Sequence, residues 1–414
     1  MIKRILIANR GEIAVRIIRT CRLLGIETVL AHSACDKDSL GVFLADKTVC
    51  IGGVDAYLGG DAIINAALVC ECDAIHPGYG FLSEDAYFAK KVVDAGLIFI
   101  GPKYLVLKRC SNKKQAKKLA QRCNVPVVPM ANVSDEYPLL LKSCSGGGGK
   151  GIRLLNSRSE YESAINEAKN ELKDSFNESD FYLEKNIDRY KHIDIQFLSD
   201  GESVTVFPPR DCSVQHSYQK DIEESPVAKL PRKLIRTLQE STRAIVTEAK
   251  YDGVGTVEFL VDHKMNYYFL EINSRLQVEH TVTEEITGVD FVAEQIRLAN
   301  GLKNDLSDTV RPRGHAIECR IVAREAGDVA IYNLPSGPGV RVDSYIYQGY
   351  EVKPYYDALL MKIITSGKSR EVALNRMKMA LSETMLGGIK TNLEDIEGIV
   401  NSESFNLAEQ SIFE

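Results

Sequence analysis

The first hundred residues alternate short apolar runs with amphipathic stretches, and this alternation restricts the fold more than any other feature. Residues 5–8, 28–31, 74–75 and 98–100 read as buried strands, while 11–24, 62–69 and 87–95 carry helical spacing. Repeated strand–helix–strand order buries one sheet between helical layers, so a parallel, doubly wound sheet is expected. Ligands of such sheets sit at the carboxyl ends of the strands, where HPGYGFLSE at 76–84 would lie.

The period changes near 139. Strands at 139–142 and 152–155 flank the loop SGGGGKG, a helix follows at 160–172, and strands return at 181–184, 193–198 and 204–207. A helix at 234–250 precedes strands at 255–262 and 267–273, and the remainder mixes short strands with a last helix at 372–384. A chain of 414 residues exceeds what one core serves. The expected class is α/β and α+β. An N-terminal doubly wound domain spans 1–105, a second domain with a lid around 114–187 spans 106–310, and a mixed C-terminal domain spans 311–414.

Composition removes several function classes. A net charge of −6 argues against general nucleic-acid binding, which requires a basic face. No run of about 18 apolar residues is present, so no membrane span is expected, and the opening MIKRILIANR is too short an apolar stretch for a signal peptide. The 10 cysteines include no C-x-x-C pair and read as reduced thiols. A cytoplasmic protein is the expectation.

Gly146 to Gly149, with Lys150 and Gly151, suggest phosphate binding by backbone N–H groups. A P-loop is excluded, because Ile152 rather than Ser or Thr follows and the loop leads into a strand. A glycine-rich hairpin tip suits a flap closing over a nucleotide.

The segment YYFLEINSRLQVEH is the richest in chemistry. Extended backbone would put Glu271, Asn273, Arg275, Gln277 and Glu279 on one face, with Leu270 and Ile272 opposite. GTVEFLVD, four residues upstream, should pair with it as a hairpin and place Glu258 among apolar neighbours. Glu258, Glu271 and Asn273 form the hard oxygen cluster that Mg²⁺ takes alongside ATP phosphates. In 214–220 the same alternation puts His216, Tyr218 and Lys220 on one face, making Lys220 a candidate anion ligand.

With KRILIANRGEIAVRIIR, IHPGYGFLSE, FIGPK, SGGGGKG, RDCSVQ, YQK, GTVEFL, EINSRLQVEHTVTEEITGVD, RGHAIECR, YDALLMKII and GGIKTN in this order, the chain resembles the biotin carboxylases over nearly its whole length. The resemblance implies an ATP-grasp core with a small glycine-rich lid, and the activity of the biotin carboxylase component of acetyl-CoA carboxylase and related enzymes, as in fatty-acid biosynthesis. It implies ATP and Mg²⁺ (or Mn²⁺), with carrier-bound biotin as substrate. Lys113, Lys142, His192, Gly148, Gly149, Glu184, Lys185 and Ile187 match nucleotide positions, with Tyr218, Glu258 and Glu271 counted beside them. Glu258, Glu271 and Asn273 match the metal positions, and Lys220, Arg275 and Val278 the bicarbonate site. Glu279 matches the general base, Arg341 the residue that steadies the biotin enolate, and Tyr79 the biotin loop.

That resemblance implies carboxyphosphate as the intermediate, formed when bicarbonate attacks the γ-phosphorus. The partners it implies are a biotin carboxyl carrier protein and a carboxyltransferase on separate chains, with a homodimer possible. RMKM at 376–379 is similar to the biotinylated A-M-K-M of carrier domains, but its helical spacing argues against Lys378 as a biotin site. Tyr218 stands where the family carries a basic residue. It favours the alternative of an ATP-grasp ligase with another carboxylate or acceptor; a non-catalytic nucleotide-binding subunit is the second alternative.

Overall fold

The computed structural model describes residues 1–144, 151–172 and 181–409. Gly146 to Gly149, and with them the candidate contacts Gly148 and Gly149, lie outside the described residues.

The N-terminal sheet contains β1 (Arg4–Ile7), β2 (Glu27–Ser33), β3 (Lys47–Gly52), β4 (Ala74–His76) and β5 (Ile98–Phe99), all parallel, in the order β3-β2-β1-β4-β5. The expected doubly wound sheet is present. β3 had no apolar signal because it is an edge strand with mostly exposed side chains. Strand order reverses between β1 and β4, the switch point at which such sheets open a crevice. Helix Gly11–Leu23 starts there after β1, and the loop carrying Tyr79 follows β4.

A four-stranded sheet comes next: β6 (Met130–Ala131), β7 (Leu139–Ser143), β8 (Ile152–Leu155) and β9 (Phe181–Lys185), ordered β6-β9-β7-β8. β7 and β8 pair antiparallel, with Lys142 opposite Ile152, so the glycine segment joins two hydrogen-bonded strands.

The largest sheet is antiparallel. It contains β10 (Tyr190–Asp200), β11 (Val204–Val206), β12 (Arg210–His216), β13 (Gln219–Ser225), β14 (Asp252–Asp262), β15 (Tyr267–Asn273), β16 (His315–Val322), β19 (Val340–Ser344) and β21 (Leu359–Gly367). Short pairs β17 (Gly327–Asp328) with β20 (Glu351–Val352), and β18 (Ile331–Asn333) with β22 (Met385–Gly387), flank its C-terminal part. The path β15-β14-β10-β12-β13-β16-β21-β19 shows that β13 pairs β16, so one sheet runs from the middle of the chain into the C-terminal region.

Each half of this sheet buries one face. Ile193, Ile195, Val257, Phe259 and Phe269 pack against helices Arg232–Ala249 and Lys113–Arg122. Ile317, Cys319, Ile321, Met361 and Ile363 pack on helix Arg370–Glu383. Period-two alternation sends the intervening polar residues to the opposite face. Lys378 lies in helix Arg370–Glu383 and donates to Asn406 Oδ1 at 2.7 Å, as its spacing predicts.

Gly255 on β14 is a packing requirement of the site. A Cβ there would meet Phe197 Cζ at 2.5 Å, the Tyr251 hydroxyl at 2.8 Å and the Asn273 carbonyl at 3.0 Å. Gly255→Ala should destabilise the fold by about 1–3 kcal/mol in urea denaturation, because all three neighbours are buried and well packed.

Candidate active site

The β14–β15 hairpin forms the floor of the site. Glu258 lies opposite Glu271, and Thr256 opposite Asn273. A bulge follows Glu258 in the register, which leaves Leu270 as an extra residue and restores Phe269 to the core. The expected run of five polar residues on one extended face is therefore corrected. The strand ends at Asn273, and Arg275, Gln277 and Glu279 belong to an irregular segment leading into helix His280–Thr287. They still turn toward the same centre. Gln277 donates to Glu258 at 2.7 Å, and Arg275 donates to Asn273 Oδ1 at 3.0 Å and to Glu84 at 2.9 Å.

The stretch 214–220 is also corrected. The chain reverses at Ser217 and Tyr218, with φ of 50° and 61°, and His216 pairs Gln219 across a two-residue turn. His216, Tyr218 and Lys220 do not share a strand face. Tyr218 is half-buried at the hairpin tip, and Lys220 alone reaches inward. Ser-Tyr lacks the Asn-Gly or Asp-Gly signature of such turns, so periodicity carried the expected strand straight through it.

Lys220 is the electrostatic centre. Its ammonium lies 2.8 Å from Asp194, 3.1 Å from Glu258 and 2.7 Å from Glu279. Burial opposes its charge, but Asp194 and the other carboxylates outweigh burial and hold the lysine protonated. Glu279 shows the converse. Burial favours its neutral form, yet Lys220 and Arg320 hold it down at about 2. His192 donates to or accepts from Glu258 at 2.7 Å and lies 3.3 Å from Asp194. Burial disfavours its charge, and these two carboxylates raise it to about 9 nonetheless.

Two residues beneath this centre were not singled out by the sequence, although Arg210 opens the motif RDCSVQ. Arg210, fully buried, donates to Gln196, Thr283, Thr256 and Gln277 and lies 3.6 Å from Asp194. Asp194 sits mid-strand on β10, where a sequence shows only a polar residue among apolar ones.

Lys113 pairs with Glu271 at 3.1 Å, and Lys142 with Glu184 at 2.9 Å. Glu184 is fully buried and is also held by Lys117, which reads in sequence as one more cation of a basic helix. Burial would raise Glu184, but Lys142 and Lys117 hold it down at about 2. With its carboxylate committed to two lysines, any contact of Glu184 with a base is left to its backbone. Lys185 is exposed and its N–H donates to the Pro129 carbonyl at 3.0 Å, while Ile187 packs beside Tyr190 and Leu260.

Arg341 is not brought to Glu279. It is held by Glu284 at 2.9 Å, Glu285 at 3.4 Å and Asp343 at 2.7 Å. The arginine that does reach Glu279, at 3.1 Å, is Arg320 on β16, which also pairs with the buried Glu223. Burial pushes Glu223 up to about 7 against the opposing charge of Arg320. Arg320 ends the motif RGHAIECR, and alternation on β16 sends it away from the core that takes Cys319 and Ile321. Val278 and Tyr79 lie nearby, linked to Lys362 and Glu12 respectively.

Opposed acidic residues on a hairpin, lysines at both ends and a buried cationic centre define an ATP-grasp ligase, which activates an oxyanion with ATP. The family model described as "Biotin carboxylase, N-terminal domain" matches residues 1–107, "Carbamoyl-phosphate synthase L chain, ATP binding domain" matches 112–307, and "Biotin carboxylase C-terminal domain" matches 319–412. Biotin carboxylase of Haemophilus influenzae is 43% identical over 431 residues, covering 98% of this chain and 96% of that protein. Biotin carboxylase 1 of Bacillus subtilis is 41% identical with the same coverage. Among solved structures, the biotin carboxylase domain dimer of Hydrogenobacter thermophilus 2-oxoglutarate carboxylase, in complex with MgADP, ADP and bicarbonate, superposes with a TM-score of 0.95 at 37% identity, covering 99% of this chain and 96% of that one. The Campylobacter jejuni biotin carboxylase complex with β,γ-ATP gives 0.94 at 37% identity, covering 99% and 98%. The chain belongs to the biotin carboxylase family, and its enzyme class is that of an ATP-dependent carboxylating ligase.

Removing Lys117 leaves Glu184 with one cation in a site without solvent. Lys117→Met should cost about 3 kcal/mol of stability by denaturant titration, whereas Lys118→Met, at an exposed position of the same helix, should stay within about 0.5 kcal/mol.

Proposed function

We propose that this chain carboxylates biotin held on a partner protein, using ATP and bicarbonate, and that the residues gathered around Lys220 carry out the reaction. The observation that supports it is the Lys220 ammonium lying between Glu258 on the phosphate side and Glu279 on the bicarbonate side. A cation in that position neutralises an incoming oxyanion and the γ-phosphate together.

Glu258, Glu271 and Asn273 suit Mg²⁺ or Mn²⁺, because they offer two directly opposed carboxylates and, two residues along β15 from Glu271, an amide oxygen, all hard donors. The ion supplies Lewis-acid polarisation of the phosphates when bound. Lys113 and Lys142 add positive charge along the triphosphate, with His192 beside Glu258. Gly148 and Gly149 complete the nucleotide side, and the segment Glu184, Lys185 and Ile187 receives the base. Tyr218 lines the approach from its hairpin tip.

Bicarbonate binds between Lys220, Arg275 and the backbone of Val278. Its oxygen attacks the γ-phosphorus, the bond to the β-phosphate oxygen breaks, and carboxyphosphate and ADP form. Glu279 accepts the bicarbonate proton. A carboxylate held near 2 is a poor base, and an arriving anion that draws Lys220 to itself raises Glu279 for that task. Carboxyphosphate then yields CO₂ and phosphate, the phosphate removes the N1 proton of biotin, and N1 attacks CO₂. Arg341 steadies the enolate oxygen by a charge-assisted hydrogen bond, while Arg320 holds Glu279 at 3.1 Å. Tyr79 borders the biotin.

Three domains, at 1–105, 106–310 and 311–414, are the proposed division, and the matches over 1–107, 112–307 and 319–412 support it. The Hydrogenobacter relative was solved as a dimer, which supports a homodimer here. The carrier and a carboxyltransferase are the proposed partners. No helix among the described residues is long and apolar enough to cross a membrane, which accords with the proposed cytoplasmic placement.

The test is biotin-dependent ADP release. Glu279→Gln should lower it by about 10²–10⁴. Arg341→Ala should lower the turnover of folded enzyme by about 10²–10³. Unchanged turnover in folded Arg341→Ala would withdraw the enolate role from Arg341.

A further inference from the structure

A buried ion pair that takes no part in the steps above joins the bicarbonate side of the site to the biotin side. Lys362 on β21 is fully buried, and its ammonium donates to the Val278 carbonyl at 2.6 Å and lies 3.3 Å from Glu12 Oε1. The same Glu12 oxygen accepts the hydroxyl of Tyr79. Glu12 opens the helix after β1 and Tyr79 sits in the loop after β4, so the two face each other across the switch-point crevice. Asn9 fixes that loop from below, donating to the carbonyls of Pro77 and Tyr79 at 2.6 and 2.7 Å. All three matched regions meet at this lysine: the first supplies Glu12 and Tyr79, the second Val278, the third Lys362 itself.

A dry ammonium is an expensive way to fill a core position, and an apolar side chain of similar volume is generally no less stable there. What the ammonium adds is direction. The Val278 carbonyl and the Glu279 N–H belong to one planar peptide, so holding that carbonyl sets the plane from which the Glu279 side chain departs. Burial opposes the charge on Lys362, while Glu12, Glu318 and Asp343 sustain it.

We propose that Lys362 and Glu12 are positioning residues that lock the bicarbonate loop, through Val278, to the biotin loop, through Tyr79, so that the two substrates are held in one register. The idea rests on the functional reading above. It places an effect where simple contact would not: loss of a hydroxyl on the biotin side changes the handling of bicarbonate even when biotin is absent.

The experiment measures the bicarbonate KM from ADP release without biotin, and the Kd of MgATP by direct titration. Tyr79→Phe should raise the bicarbonate KM about threefold to fivefold, the worth of one hydrogen bond, with the MgATP Kd within twofold. Lys362→Met should raise it about tenfold or more, and adding Tyr79→Phe should raise it no further. If Lys362→Met does not fold, Tyr79→Phe and Glu12→Gln carry the same test. An unmoved bicarbonate KM in the folded variants overturns the coupling while wild-type turnover leaves the functional reading intact. Parallel weakening of MgATP and bicarbonate also overturns it, as general loosening. Absence of bicarbonate-dependent ADP release in the wild type defeats the functional reading itself, and the coupling with it.

Discussion

Three carboxylates converge within hydrogen-bonding distance of one ammonium, and the interior of this protein is arranged to make that tolerable. Asp194, Glu258 and Glu279 would repel one another strongly without solvent, and Lys220 offsets that repulsion, holding Asp194 and Glu279 below the usual carboxylate range. Arg210 supports the arrangement from below, spending its guanidinium on Gln196, Thr256, Thr283 and Gln277 rather than on one strong partner. His192 and Arg320 extend the alternation of charge to either side. Such a network favours one geometry, because moving any member leaves another charge buried and unpaired.

The architecture explains why residues distant in sequence meet there. Since β13 pairs β16, Lys220 and Glu223 on one strand stand beside Glu318 and Arg320 on the next, although a helix, two strands and two further helices intervene in the chain. The N-terminal sheet contributes from its switch point, where Glu84 reaches Arg275 and Ser274, and Glu12 reaches Lys362. The site is thus a junction of three regions, and its rigidity is a property of their packing.

Much of this was legible in the sequence wherever a local pattern determines structure. Strand–helix alternation yielded the parallel sheet, missing only β3, whose exposed side chains carry no burial signal. Alternation along β15 marked Glu271 and Asn273, and the pairing of Glu258 with Glu271 follows from a short hairpin. Legibility failed where the backbone departs from its period, as at Ser217 and Tyr218, with no glycine or asparagine to announce the turn, and beyond Asn273, where the strand ends inside a polar run. It failed again where a role depends on tertiary placement. Lys117 looks like its exposed neighbour Lys118, Asp194 like any polar residue in a strand, and Arg320 like Arg341, until strand pairing decides which arginine faces Glu279.

The most direct measurement is ADP release by the wild-type chain with MgATP, first without bicarbonate, then with it, then with free biotin added. The charge arrangement around Lys220 predicts that bicarbonate is required for turnover above background and that biotin raises the rate further, because the anion and the biotin enolate are what Lys220, Arg275 and Arg341 are proposed to receive. Tight MgATP binding with ADP release indifferent to both would contradict the account, and would mean that these cations serve another acceptor or only hold the fold together.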